Sequence, residues 1–181
     1  MMAYYVLFHT KGWMVSLCEG KRDWQMMCDG YRIVKYPASG VSFAALKAAL
    51  ERLGEYLPYT LAEQKIDLDE YARKLANHAC VDLVLSADGR VVGIQAYYTN
   101  DTVTRKAYAT FFSLEPECRG TGIAKRMMRL LMDTAKANGM SVIEGNVAKN
   151  NARARALYEG FGFAVTAEAS GEKVVMSQRL E

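Results

Sequence analysis

Residues 113–139 read "SLEPECRGTGIAKRMMRLLMDTAKANG", with Gly120 and Gly122 two apart at the start of a run of helical spacing. Glycine carries no side chain, so the amides of Gly120, Thr121, Gly122, Ile123 and Ala124 can approach a ligand closely. A helix starting here leaves its first N–H groups unpaired. That combination suits a phosphate. The same glycines would also serve a plain strand-to-helix turn. The string is not a P-loop, which needs GxxxxGK followed by Ser or Thr. As a dinucleotide fingerprint it fails at the third glycine, where Lys125 stands, although Glu144 lies near the spacing of a ribose-binding acid.

A second group of polar residues follows in "NVAKNNARARALYEGFGF", residues 146–163. Asn151 is a good helix N-cap, and Tyr158, seven residues on, returns to within roughly 20° of the same helical face. An amide and a phenolic proton donor could therefore look along one groove. Capping and packing alone are the competing roles. Cys118, beside the glycines, has no histidine near it in sequence and reads as a small buried residue, not a nucleophile.

The elements that must position these residues follow from periodicity. Residues 31–40 alternate as a strand and end in turn residues. Ser42 opens a helix with Phe43, Leu46, Leu50 and Leu53 on one stripe and Gly54 as its C-cap. Asp67 and Glu70 form an aspartate version of a capping box for a second helix carrying Leu68, Tyr71 and Leu75. Two strands then flank Asp88-Gly89, a dipeptide suited to a tight hairpin. A further hairpin, looped at "TNDTVTR", runs into Pro116. Behind the glycines, Ile123, Met127, Leu130, Leu131 and Thr134 make a packing stripe. A strand, the Asn151 helix and a last hairpin around Ser170-Gly171 complete the chain.

Bulk properties exclude several classes. The 181 residues, 51% of them apolar, fit one domain with a sizeable core. The net charge of +3 is spread along the chain, which supports neither a nucleic-acid nor a membrane-surface partner. Four cysteines without a CxxC pair and two histidines indicate no metal site and no disulfide framework. The N-terminus lacks the features of a signal peptide, and no stretch is long enough to span a membrane, so the expected location is cytoplasmic.

At this point the sequence resembles the GNAT-type N-acetyltransferases, which use acetyl-CoA. "RGTGIA" matches their RxxGxG/A pyrophosphate loop, "LEP" the end of their fourth strand, and "NNARARALYEGFGF" their NxxAxxLY…GF segment. The likeness runs from about Tyr31 to Leu180. More loosely, "LDEYARKLANHA" and "YYTND" resemble bacterial members from surface-polysaccharide gene sets. The resemblance implies a mixed α+β fold: one central, mostly antiparallel twisted sheet of about seven strands, flanked by about four helices, with the fourth and fifth strands splayed.

It also implies a cofactor path. The pantetheine arm of acetyl-CoA would pair with Phe112, Ser113 and Leu114, the pyrophosphate would sit on Arg119, Gly120, Thr121, Gly122, Ile123 and Ala124, and Asn151 would contact the CoA arm. Tyr158 would be the general acid for the departing thiolate, with direct attack by a primary amine from a small molecule, amino sugar or peptide. The acceptor would enter opposite CoA, between the first-helix connection "EYLPYTLAEQ" and the last hairpin "AEASGEK", with Tyr56, Tyr59, Thr60, Tyr98, Asn100 and Asp101 as candidates for lining it. Glu115, Asp101 and Glu144 are the carboxylates available as a base; their orientation is not fixed by the sequence, and water relaying the proton is the equal alternative. Gly145 stands where many members of the family have an apolar residue, and would either loosen that strand or leave room beside the thioester. A catalytically silent CoA-binding sensor on the same fold, and a nucleotide binder, are the alternative functions. The resemblance places the domain at residues 31–181, as a monomer or homodimer, and leaves residues 1–30 as an extension. Met26 and Met27 stand where a family member would begin, so the extension reads as dispensable.

Overall fold

The computed structural model describes residues 30–38 and 40–181 throughout, and within the first 28 residues the strands β1 (Tyr5–His9), β2 (Trp13–Leu17) and β3 (Gln25–Cys28). Then come β4 (Tyr31–Tyr36), α1 (Phe43–Gly54), α2 (Leu68–His78), β5 (Cys80–Leu85), β6 (Val91–Asp101) and β7 (Lys106–Leu114). A short 3-10 turn, Pro116–Cys118, leads to α3 (Ile123–Ala137), β8 (Val142–Ala148), α4 (Ala152–Glu159), β9 (Ala164–Glu168) and β10 (Lys173–Arg179). One sheet holds the strands in the order β1-β2-β3-β4-β5-β6-β7-β8-β10-β9. From Tyr31 onward this is the expected mixed α+β fold of seven strands and four helices. The first three strands extend the same sheet beyond β4, with Met26 opposite Ile33.

Local chemistry sets the helix starts. The Ser42 Oγ accepts from the Ala45 amide at 3.1 Å, and the Asp67 carboxylate from the Glu70 amide at 2.9 Å. These bonds use N–H groups that the first turn would otherwise leave bare. Gly54 is not the C-cap its position suggests. It is the last helical residue and is buried, and a Cβ there would lie 3.2 Å from the Leu61 side chain. Close packing of the α1–α2 connection demands the glycine, not a left-handed turn.

The core forms on both faces of the sheet. Leu46, Leu50 and Leu53 of α1 and Leu75 of α2 pack with Leu83 and Ile94 on one face. Met128 and Leu131 of α3, Ile143, Met176 and Tyr158 of α4 pack on the other. Each large apolar side chain so buried stabilises the fold by about 1.5–3 kcal/mol before entropy is charged.

The feature that makes a site is the junction of β7 and β8, the parallel pair. Their register runs only from Lys106↔Val142 to Ala109↔Gly145. Beyond Ala109, β7 stays with β6 as far as Gly93↔Leu114, while β8 stays with β10 as far as Ala148↔Lys173. The strands part where the β6–β7 register shifts: Ala96 faces Phe111 but Tyr97 faces Ala109, so Thr110 is an extra residue on β7. A bulge of this kind bends its strand and increases the local twist.

Candidate active site

The gap between β7 and β8 is a cleft. Phe112, Thr110 and Ala109 line one wall, and Asn146, Val147 and Ala148 the other. The α1–α2 connection closes one side with Leu57, Pro58, Tyr59 and Gln64, and α4 the opposite side with Asn151, Ala154 and Tyr158. The β7 edge from residue 110 onward has no β8 partner, so its backbone polar groups face the cleft and are available to an extended ligand. The side chains of Ser113 and Leu114 are spent on the fold: Ser113 donates its hydroxyl to the Leu53 carbonyl at 2.8 Å, and Leu114 is buried.

The glycine loop follows directly. Gly120 and Gly122 have φ of +83° and +84°, and a Cβ built on either would meet nothing within 4 Å. Only glycine takes this left-handed conformation without strain, and it leaves an open cradle in front of α3. Gly122 is the N-cap of α3 and supplies no side-chain cap, so the first turn keeps its positive end for a ligand. Such a cradle of free amides and open volume fits the pyrophosphate of a CoA thioester. The loop is anchored from outside. Thr121 donates to the Cys118 carbonyl at 2.7 Å, and the Arg119 guanidinium lies 5.5 Å from the centre of the Tyr56 ring.

Glu115 is part of that anchor and not a base. It is 3% exposed and pairs with Arg52 Nε at 3.0 Å and Arg90 at 2.6 Å. The other two candidate carboxylates also have structural partners outside the cleft lining. Glu144 pairs with Lys106 at 2.8 Å. Asp101 closes its own hairpin turn, accepting from the Val103 and Thr104 amides and the Thr104 hydroxyl. Cys118 is buried, and burial pushes its thiol above the ordinary range, which suits packing and not nucleophilic attack.

Asn151 and Tyr158 do meet in the cleft, as their spacing requires. The Asn151 Oδ1 caps α4 by accepting from the Ala154 amide at 3.1 Å, so its amide nitrogen is the group left for a ligand. Tyr158 packs edge-on against Phe163, ring centres 4.9 Å apart. Its hydroxyl points at Gly145, where a Cβ would sit 3.4 Å from Oη and 3.3 Å from the Ala109 side chain. Gly145 therefore keeps space open beside that hydroxyl. Burial first, and Tyr108 second, push the Tyr158 pKa up to about 12. The phenol keeps its proton at any physiological pH.

Of the acceptor candidates, Tyr59 lines the cleft. Tyr56 carries Arg119, and Thr60 binds Glu63 in its own loop. Tyr98 packs against the cluster under α1 and α2, and Asn100 and Asp101 stand on the β6–β7 hairpin, outside the cleft lining. Two further cleft residues, Gln64 and Lys173, end the two segments expected to flank the acceptor, residues 55–64 and 167–173, though neither stands out singly in the sequence. They lie 109 positions apart and carry no local signal, yet Lys173 Nζ donates to Gln64 Oε1 at 2.7 Å. Among the described residues no group of three or more His, Cys, Asp or Glu could hold a metal, and no helix is long and apolar enough to cross a membrane.

A splayed parallel pair ending in a glycine cradle suits an acyl-CoA-dependent transferase. The chain belongs to the Acetyltransferase (GNAT) family, whose family model matches residues 43–163. It is an acetyl-CoA-dependent acyltransferase. Thialysine N-epsilon-acetyltransferase of Bos taurus is 28% identical over 131 residues, covering 68% of this chain and 76% of that protein. Among solved structures, a Salmonella typhimurium protein determined with its cofactor acetyl-CoA has a TM-score of 0.66 at 18% identity, covering 84% of this chain and 95% of its own. An acetyltransferase from Streptococcus agalactiae has a TM-score of 0.66 at 19% identity, covering 84% and 99%.

Proposed function

We propose that the enzyme transfers the acetyl group of acetyl-CoA directly to a primary amine, with Tyr158 serving the departing thiolate. The observation that carries this reading is the convergence on one cleft of an unpaired strand edge, a glycine cradle and a buried, protonated hydroxyl. Residues Phe112 to Leu114 would hold the pantetheine arm through their backbone, Arg119 to Ala124 the pyrophosphate, and Asn151 the intervening arm. Acetyl-CoA, when bound, supplies an activated thioester.

This chain's residues then do three things. The β7 edge offers N–H dipoles where the carbonyl oxygen gains charge. The apolar walls, Phe112 and Val147, exclude water and hold the amine near attack geometry. Tyr158 Oη donates to the sulfur. A phenol at about 12 is a weaker acid than a thiol near 8.5, so complete proton transfer from the resting site is uphill by roughly 5 kcal/mol. Tyr158 therefore acts chiefly as a hydrogen-bond donor as charge develops, and the proton lost by the amine balances the thiol. No carboxylate lines the cleft among the described residues, so the amine must arrive neutral and shed its proton to water.

Thialysine, the amine named for the relative, is a small molecule, which supports a small acceptor here. Tyr158→Phe tests the reading: kcat should fall by about 10²–10⁴-fold with acetyl-CoA affinity unchanged. Unaltered turnover would remove Tyr158 from the reaction.

A further inference from the structure

The lining of the cleft is electrostatically one-sided. Among the described residues it contains one ionised side chain, Lys173, and no carboxylate. Lys173 is the first residue of β10, opposite Ala148 at the open end of β8, on the side closed by the α1–α2 connection. Its ammonium group donates to Gln64 Oε1 at 2.7 Å and lies 5.7 Å from the centre of the Tyr59 ring. Gln64 is held in turn by donating its amide to the Tyr59 carbonyl at 2.9 Å. No carboxylate lies within ion-pair distance of Lys173 among the described residues, whereas Lys149, one residue beyond the end of β8, pairs with Glu168 at 2.7 Å.

A lysine ammonium has three donors, and here a neutral amide on an exposed loop takes one. The arrangement leaves a positive charge with no counter-ion beside a reaction that needs a neutral amine. A polyamine, or any acceptor with a second cationic group and no negative one, would be repelled. Gln64 spends its amide nitrogen on the Tyr59 and Thr60 carbonyls and so holds the lysine in place, and a negative group on the acceptor would take the Lys173 donors, because a charge-assisted bond outcompetes one to an amide.

We propose that Lys173, with Gln64 and Tyr59, forms an anion subsite, and that the acceptor amine bears a carboxylate or phosphate that docks there. The proposal rests on the acetyltransferase reading and specifies its substrate class. The anion anchors one end of the acceptor, leaving the amine to reach along the cleft toward Tyr158. Lys173 is thus a specificity-determining residue that takes no part in the acyl transfer.

The test titrates the full chain, saturated with CoA so that nothing turns over, with two matched pairs by calorimetry: lysine against lysinamide, and ethanolamine phosphate against ethanolamine. The anionic member of at least one pair should bind about tenfold tighter or more, the size of one charge-assisted hydrogen bond. The responding pair distinguishes carboxylate from phosphate. The preference should vanish in Lys173→Gln and persist in Lys173→Arg, with CoA affinity constant across all three proteins as the check on folding. Equal affinity within both pairs, absence of binding by all four compounds, or a preference that survives Lys173→Gln would overturn the proposal. Failure of CoA itself to bind would overturn the acetyltransferase reading and this inference with it.

Discussion

Single residues in this protein are tuned by burial more than by charge. Tyr158 keeps its proton because it is desolvated, and the same force acts on Asp82 in the middle of β5. Asp82 stands opposite Lys35 of β4 and Gln95 of β6. Its Oδ2 accepts from the Tyr97 hydroxyl at 3.0 Å, while Oδ1 is buried without a partner. Lys35, whose ammonium donates to Thr134 at 3.0 Å, pulls the acid back toward ionisation, but burial wins and Asp82 is raised to about 6. The native state therefore holds this proton more tightly than the unfolded chain does. The resulting stability is complete well below pH 3.8, the ordinary value of an unfolded aspartate, and is lost as pH rises through about 6, a change of about 3 kcal/mol. Asp82→Asn removes the titration. The unfolding free energy of the variant should gain on wild type by roughly 2.5 kcal/mol between pH 4 and pH 8 in denaturant titrations. Parallel pH profiles would show that Asp82 is ionised at no cost.

At the scale of elements, what was legible in the sequence was what local physics determines. Ser42, Asp67 and Asn151 cap their helices because a short polar side chain beside a bare N–H has one good use. Gly120 and Gly122 take positive φ, as residue types in a tight strand-to-helix turn must. Gly54 misled because its glycine serves a tertiary contact with Leu61, and sequence shows turns more readily than close approaches. The extra residue at Thr110, which parts β7 from β8, was not legible from composition either, since a bulge is a mismatch of register between strands. Tyr98, Asn100 and Asp101 drew notice as polar and aromatic residues, but their hairpin places them outside the cleft lining, whereas Gln64 and Lys173 meet there only through the closed sheet. The cradle itself makes a testable element. Gly122→Val forces a β-branched residue to φ near +84° and projects a side chain into open space, so the damage falls on the ligand site with little buried packing to disturb.

On the scale of the whole molecule, every cleft-lining residue among those described lies between Leu57 and Lys173, remote in sequence from β1, β2 and β3. We propose that residues 1–30 extend the sheet edge without contributing to the site. A chain beginning at Met27 should fold and bind acetyl-CoA as the full chain does, although it uncovers the edge of β4. Loss of folding or of binding would assign the extension a structural role. The central claim is that the β7–β8 gap and its glycine cradle hold acetyl-CoA, and one calorimetric titration addresses it, with NAD and ATP as controls. Acetyl-CoA should bind saturably and the controls should not, and that binding should be lost in a folded Gly122→Val protein. A folded wild-type protein that ignores acetyl-CoA, or a Gly122→Val protein that binds it unchanged, would contradict the account.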